Sequence, residues 1–230
     1  ASAYLWLGKI SQKQGDHNQA KQYWQLAATT DPYGYYGLRA QEILENQPVF
    51  TAPSTPNFAI DLEAARDVAA AWLRTSFNLS PQVDLDYSAD LANDSRFIRG
   101  IEFWGLGMYP EARLEFESLR NDYRLDVINT FRLMKTFLDH GFYTSAIQAS
   151  ESILQLTGYS DPAVADQVPS YVYLIRYGAY YLPWVQTAAD TYDVPILLLF
   201  SVIYQESRFQ AYVESSAGAQ GLMQLMPATA

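Results

Sequence analysis

The chain has 230 residues, of which 49% are hydrophobic and 15% aromatic, and it carries a formal net charge of −10. This amount of apolar material is enough for one long or two compact folded units and excludes a disordered chain. The acidic balance argues against binding to nucleic acid or to an anionic membrane surface, because both require a basic face.

Three further features limit the chemistry and the location. There is no cysteine, which excludes disulfides, thiol catalysis and cysteine-ligated zinc. His17 and His140 are far apart and each lies beside a turn glycine, so we expect solvated turn residues, no metal and no cofactor. The longest apolar run, Val194 to Tyr204, is about half the roughly 20 residues that a membrane-spanning helix needs. We therefore expect no membrane span, and because the chain begins at Ala1 without a leader, we expect any signal or lipid-attachment segment either to have been removed or to lie outside these 230 residues.

The start of the chain follows the two-helix tetratricopeptide template. Gly8 and Ala20 stand where the two antiparallel helices of such a repeat approach closely, and bulky residues fill the space between them. The matching positions are Tyr4, Leu7, Gly8, Gly15, Ala20, Trp24, Ala27 and Pro32. The pattern predicts a helical hairpin.

The middle of the chain predicts a linker, a helix and a loop. An extended linker is expected over about residues 46–60, because of Pro48, Pro53 and Pro56. Asp61 caps a predicted helix that runs to Phe77, with an apolar side formed by Leu62, Ala65, Ala69, Trp72 and Leu73. Residues 80–88 favour a surface loop.

The tetratricopeptide period of about 34 residues then recurs. The aligned pairs are Gly107 with Gly141, Ala112 with Ala146, Arg99 with Leu133, and Phe103 with Phe137. This repetition predicts two consecutive helical hairpins across residues 93 to 157, with turns at residues 107–109 and 140–141.

Glu206 follows a nearly all-apolar predicted helix, Pro195 to Gln205. Leu199 and Ile203 precede it at helical spacing, so its carboxyl continues their apolar stripe, where loss of water favours the protonated form. A neutral carboxylic acid near pH 7 can act as a general acid. The alternative is a helix-terminal glutamate held by solvent or by Arg208.

The residues from Glu206 onward read E-S-x-F and then S-x-x-G-A-x-G-L-M-Q-x-M-P-x-T-A. This closely resembles the opening motifs of the lytic transglycosylases of the soluble murein transglycosylase type. The matching positions are Glu206, Ser207, Phe209, Ser215, Gly218, Ala219, Gly221, Leu222, Met223, Gln224, Met226, Pro227, Thr229 and Ala230. The chain departs from the family at Gly178, at Gln210 and Ala211, and at Glu214. These departures concern the geometry of the loops and leave the acid, Glu206, in place.

A second resemblance to the same family is independent of the first. The segment from Tyr35 to Ala40 resembles the YYG-x-x-A helix of the family's superhelical part, and the lead-in to Glu206 resembles the entry into its catalytic domain. Pro183 predicts a short first helix of that domain over Trp184 to Tyr192. Packing is the preferred interpretation of the tyrosines that precede it, over stacking on sugars. They are Tyr171, Tyr173, Tyr177, Tyr180 and Tyr181.

The resemblance implies a mainly all-α fold in two parts. An α-superhelical tetratricopeptide-like region occupies residues 1–170, and the N-terminal part of a lysozyme-like catalytic domain occupies residues 171–230. The stretch 184–230 is shorter than the about 50 residues of a minimal domain. We therefore expect the C-terminal part of the domain to be missing and the 230 residues to be inactive or nearly so.

The resemblance also implies an activity on peptidoglycan glycan strands in the bacterial cell envelope, in the periplasm or outside the cell. Glu206 would act first as acid and then as base, cleaving the β-1,4 bond between N-acetylmuramic acid and N-acetylglucosamine and forming a 1,6-anhydro ring. Ser215 would help to orient the reacting sugar, Gln224 would hydrogen-bond to saccharide, and Met226 would line the cleft.

Two other functions stay open. One is a tetratricopeptide scaffold that binds a protein partner through its repeats. The other is a goose-lysozyme-like hydrolase, for which Glu214 is the nearby candidate for a second carboxylate in an inverting reaction. Product analysis separates the two enzymes, because the transglycosylase alone forms anhydro ends.

Overall fold

The computed structural model describes residues 1–48 and 56–229. Within these ranges the chain forms twelve α-helices and one 3-10 helix, Pro162–Gln167, and no β-strand. The predicted all-α fold is therefore confirmed. The helices are α1 Ser2–Lys13, α2 His17–Thr30, α3 Tyr35–Leu44, α4 Leu62–Ser76, α5 Ala89–Ala92, α6 Ser95–Gly105, α7 Tyr109–Tyr123, α8 Val127–Asp139, α9 Tyr143–Thr157, α10 Ser170–Arg176, α11 Leu182–Tyr192 and α12 Ile196–Ser207.

The chain divides into two compact units. The first contains Ala1–Asn57 and Asp161–Asp166, and the second contains Phe58–Ser160 and Gln167–Ala230. The boundary expected between residues 170 and 171 rests on the family resemblance and stays a prediction. None of the helices in the two described ranges is long and apolar enough to cross a membrane.

Helices α1 and α2 form the hairpin predicted for the first unit. Ala20 and Ala27 are buried, and a Cβ atom placed on Gly8 would overlap the indole ring of Trp24. Gly15 makes the turn between the helices with a φ of 86°, a value that favours glycine. The small residues are therefore packing and turn positions.

Helix α3 begins at Tyr35, in the segment that resembles the YYG-x-x-A helix. Gly37 lies against the backbone carbonyl of Asp31, where a Cβ atom would have no space. Ala40 is fully buried in the core that α1 and α2 form. The glycine and the alanine of this motif are thus explained by close helix packing.

The linker expected over residues 46–60 is described only in part. Residues 49–55, including Pro53, lie outside the described ranges, as does Ala230 at the end of the motif. The five residues after this gap, 56–60, have no regular secondary structure. Phe58 packs against Phe200, with ring centroids 5.7 Å apart.

Helix α4 begins as predicted, because Asp61 accepts a hydrogen bond from the N–H of Ala64 at 2.9 Å. Its buried side differs from the predicted one. Ala69 and Leu73 are buried, but Leu62 is exposed and Arg66 is buried in its place. The apolar pattern missed Arg66 because a charged residue scores as a surface residue.

Arg66 is only 4% exposed, and its two terminal guanidinium nitrogens find acceptors inside the second unit, whereas its Nε has no hydrogen-bond partner in the described structure. It donates to the carbonyl of Leu85 at 2.7 Å, pairs with Asp86 and lies over the ring of Phe131. Residues 80–88 form the predicted loop, yet Leu85 within it is buried. The loop is therefore fixed to α4 by Arg66.

The two hairpins predicted for residues 93 to 157 are present as α6–α7 and α8–α9. Ala112 and Ala146 are fully buried. Gly107 and Gly141 make the intervening turns with φ of 75° and 77°. The predicted repeat therefore holds at its small positions, whereas Arg99, aligned with buried Leu133, is a surface residue that pairs with Glu115.

The tyrosines before α11 mainly contribute to packing. Tyr171 and Tyr180 are buried, and burial raises the pKa of Tyr171 to about 12. The hydroxyl of Tyr180 donates to the carbonyl of Ile175 at 2.6 Å. The packing interpretation is confirmed for these two, while Tyr177 is exposed.

Candidate active site

Glu206 lies in the last turn of α12, which extends two residues beyond the predicted end of that helix. Ile203 is buried and Leu199 is partly buried on the same side of the helix. The carboxyl group itself is exposed, and in the part of the chain that the structure describes it has neither an ion pair nor a hydrogen bond. The apolar neighbours therefore do not shield the carboxyl of Glu206 from solvent, and the predicted desolvation of this group is not observed.

The backbone explains why Glu206 is not covered. Arg208 and Phe209 both adopt left-handed conformations, with φ of 50° and 64°. This turn directs Phe209 into the core of the second unit, where it is 3% exposed and contacts the rings of Tyr180 and Phe200. The chain after α12 thus packs beside the helix and leaves the carboxyl open.

The turn is also held by polar contacts with α9. The side chain of Arg208 donates to Glu151 at 3.1 Å, and its backbone carbonyl accepts a hydrogen bond from the hydroxyl of Thr144 at 3.0 Å. Arg208 therefore pairs with Glu151 and not with Glu206. Nothing in the local sequence indicates a partner so distant along the chain.

Ser215 closes a tight turn after the helix. Its hydroxyl accepts a hydrogen bond from the N–H of Ala219 at 3.0 Å, and its N–H donates to the carbonyl of the same residue at 2.9 Å. Gly218 completes the turn with a φ of 85°. Because a serine hydroxyl can donate while it accepts, Ser215 keeps one proton to donate to a ligand.

Gln224 holds a second turn in the same segment. Its side-chain amide donates to the carbonyls of Gly221 and Val213 at 2.9 and 3.3 Å. Its own φ is 48°, and that of Gly221 is 73°. Met226 follows this turn and is 42% exposed, so its side chain is accessible.

These turns form one folded segment attached to α12. The hydroxyl of Ser207, next to Glu206, donates to the carbonyl of Leu222 at 2.8 Å. Gln220 forms isolated bridges with both Glu214 and Leu225. The structure therefore brings the turns of Ser215 and Gln224 together and attaches them to the end of the helix that carries Glu206.

A cavity of about 310 Å³ lies beside this segment, and Glu214 is among its lining residues. Its walls are largely aromatic and include Trp104, Tyr109 and Tyr212. The rings of Tyr109 and Tyr212 stack with centroids 3.6 Å apart, and Tyr109 raises the pKa of Tyr212 through a hydrogen bond. Glu214 is exposed, as is usual for a loop carboxylate.

The two histidines lie away from this segment in the sequence and are exposed. His17 begins α2, and His140 follows α8, where its Nδ1 lies 2.7 Å from the carbonyl of Thr136. Both are solvated helix-end residues, as expected. Across residues 1–48 and 56–229 no group of three or more His, Cys, Asp or Glu is arranged to hold a metal ion.

Comparisons with known proteins agree with the motif. The family profile described as "Transglycosylase SLT domain" matches residues 183–230. A curated relative, the membrane-bound lytic murein transglycosylase C of Haemophilus ducreyi, is 30% identical over 138 residues, which are 57% of this chain and 35% of that protein. The chain thus spans about a third of the length of this relative.

Two solved structures share the fold. The 70-kDa soluble lytic transglycosylase of Escherichia coli has a TM-score of 0.57 at 17% identity, over 98% of this chain and 29% of that one. An inactive variant of the lytic transglycosylase Slt of Pseudomonas aeruginosa has a TM-score of 0.52 at 21% identity, over 98% and 30% of the two chains. Residues 183–230 thus match the transglycosylase SLT domain family, and the chain shares the all-α fold of these two soluble lytic transglycosylases.

Proposed function

We propose that the protein carrying this chain is a peptidoglycan lytic transglycosylase in which Glu206 is the catalytic acid and base. The observation that carries the proposal is the match of residues 183–230 to the SLT domain, in which Glu206 is an exposed carboxyl at the end of α12. An exposed carboxyl without a protein partner can reach a bound glycan.

In the proposed reaction Glu206 donates its proton to the glycosidic oxygen as the bond between N-acetylmuramic acid and N-acetylglucosamine breaks. The carboxylate then accepts the proton of the 6-hydroxyl as that oxygen closes the 1,6-anhydro ring. A bound glycan strand would cover the exposed carboxyl of Glu206 and exclude solvent from it. One group would therefore serve both proton transfers, and no metal or cofactor is required.

Three neighbouring residues would support the sugar. Ser215 has a hydroxyl proton available beside its turn, Gln224 fixes the adjacent turn through two carbonyls, and Met226 is accessible. We propose that Ser215 orients the reacting sugar, that Gln224 hydrogen-bonds to saccharide when its amide exchanges a backbone partner for ligand, and that Met226 lines the cleft. We therefore also propose that the protein acts in the periplasm or outside the cell, where peptidoglycan lies.

The lytic transglycosylase Slt of P. aeruginosa supports this role, because the variant of that protein in which a glutamate is replaced by glutamine is inactive. By analogy, Glu206→Gln in the gene product that carries this chain should reduce the release of 1,6-anhydromuropeptides from purified peptidoglycan by about 100-fold or more, because glutamine keeps the shape but transfers no proton. Mass spectrometry of the released fragments measures both the amount and the type of end.

Glu214→Gln is the matched control. It makes the same chemical change in a nearby exposed carboxylate and should leave the rate and the anhydro ends unchanged. Reducing ends together with equal losses in both variants would instead indicate the two-carboxylate hydrolase. Full activity in Glu206→Gln would refute the assignment of the acid. The protein-binding scaffold gains no support from any of the comparisons.

A further inference from the structure

A second cavity of the second unit lies between α7, α9 and the turn after α12. It has a volume of about 430 Å³ and is lined mainly by polar side chains. Three arginines, Arg120, Arg124 and Arg208, are among the lining residues. Glu151 provides the one carboxylate of this lining. Such a positive cavity is unexpected in a chain whose net charge is −10.

Two of the three arginines lack an ion-pair partner within residues 1–48 and 56–229. Arg120 donates to the amide oxygen of Asn121 at 3.0 Å, and Arg124 donates to the backbone carbonyl of Asn121 at 2.8 Å. Both acceptors are neutral. The Nε of Arg120 is buried and has no hydrogen-bond partner in the described structure.

The single carboxylate cannot neutralise this cluster. Glu151 accepts a hydrogen bond from Arg208 at 3.1 Å and also lies 3.9 Å from the Nε of Arg176. Glu117, the other acidic group that attracts Arg120, lies beside Arg113 at 3.7 Å. The lining of the cavity therefore has two positive charges in excess.

An unpaired, partly buried guanidinium is costly unless it meets an anion. Burial also lowers the pKa of Arg120, which is the direction expected for a charge without a close partner. The planar fork of N–H donors in a guanidinium matches the two oxygens of a carboxylate or the oxygens of a phosphate. The cavity volume lies in the range of small-ligand sites.

We propose that this cavity binds a small dianionic ligand through carboxylate or phosphate oxygens, with Arg120 and Arg124 as its main contacts. Arg208 provides the third contact once the ligand competes with Glu151. Gln148 also lines the cavity and adds a neutral polar wall.

Isothermal titration calorimetry on the full 230-residue chain at low ionic strength tests the proposal, with the dicarboxylate succinate and inorganic phosphate as separate probes. Saturable binding of either one supports the site, and the stronger probe identifies the oxyanion. Arg124→Gln and Arg120→Gln should each weaken binding by about tenfold, because each removes a charge-assisted hydrogen bond. Arg124 is exposed, so its variant remains decisive if Arg120→Gln fails to fold.

Two further variants separate a site from nonspecific attraction. Glu151→Gln should tighten binding by about fivefold, because it removes a competing negative charge and frees Arg208. Arg74→Gln removes the same charge as the test variants from α4, outside the cavity, and should have no effect. Absence of binding by both probes, weaker binding in Glu151→Gln, or an equal loss in Arg74→Gln would overturn the proposal. None of these outcomes bears on glycan cleavage by Glu206.

Discussion

Phe209 offers the most direct test of how the chain is folded next to Glu206. It combines two properties that rarely occur together, a nearly complete burial of 3% exposure and a left-handed backbone with φ of 64°. We consider two replacements, Phe209→Ala and Phe209→Gly. Both remove the ring and create the same cavity, but they differ in how easily the backbone adopts a positive φ.

The magnitudes follow from these two properties. Loss of a buried phenylalanine side chain costs about 3–5 kcal/mol in the free energy of unfolding. Alanine keeps the strain of a left-handed residue that has a Cβ atom, about 1–2 kcal/mol, whereas glycine does not. Glycine loses part of this advantage through the greater freedom of its unfolded chain. Phe209→Gly should therefore be more stable than Phe209→Ala by about 1 kcal/mol, the reverse of the order in a helix.

Phe200 provides the control for this reversal. It is also buried, but it lies inside α12, so Phe200→Ala should be more stable than Phe200→Gly by about 1 kcal/mol. Urea denaturation followed by circular dichroism measures the four free energies, and hydrogen exchange across residues 196–225 localises the loss. If alanine were the more stable replacement at both positions, the chain after Glu206 would not have the left-handed turn described above.

Two other predictions concern the second unit. Asp94 caps α6 and bonds to Arg96, which holds the pKa of Asp94 below its ordinary value of 3.8. Asp94→Asn keeps a good cap but removes the negative charge that pairs with Arg96 and lies at the helix N-terminus, and it should cost about 1 kcal/mol at neutral pH. That contribution is present above the ordinary pKa and is lost as the pH falls through the lower folded pKa, so equal variant-to-parent differences in urea titrations at pH 7 and about pH 2 would contradict it. Ala112→Leu and Ala146→Leu should each overpack a helix crossing and cost about 1–3 kcal/mol. Unchanged melting temperatures in both would show that the repeat alignment is wrong.

Much of the helical fold could be predicted because its signals are local. Asp61 and the turn glycines Gly107 and Gly141 mark helix ends through short-range geometry. Ala112 and Ala146 mark helix crossings through a repeated spacing. Each of these depends on neighbours within one hairpin, so the sequence contains the information needed to place them.

The features that sequence reasoning missed depend on contacts between distant segments. Arg66 is buried because a loop 19 residues later supplies a carbonyl acceptor. Arg208 finds Glu151, which lies 57 residues earlier on α9. The exposure of Glu206 agrees with the alternative of a helix-terminal glutamate held by solvent. The sequence could not decide between the two possibilities, because the outcome depends on the direction of the chain after α12. Helical spacing predicts on which side of the helix a residue lies, but it does not predict which other segments cover that side.

The residue types of the SLT motif are explained in large part by backbone requirements. Gly218 and Gly221 adopt positive φ, the hydroxyl of Ser215 closes one turn, and the amide of Gln224 closes the next. A sequence that keeps these residues therefore keeps the shape of the segment, whether or not each side chain also touches substrate. Glu206 differs from them, because its carboxyl has no structural contact in the part of the chain that the structure describes. Replacing Ser215 or Gln224 should thus impair folding and activity together. Glu206→Gln should instead remove activity at unchanged stability. This difference distinguishes a catalytic residue from residues that build the loop.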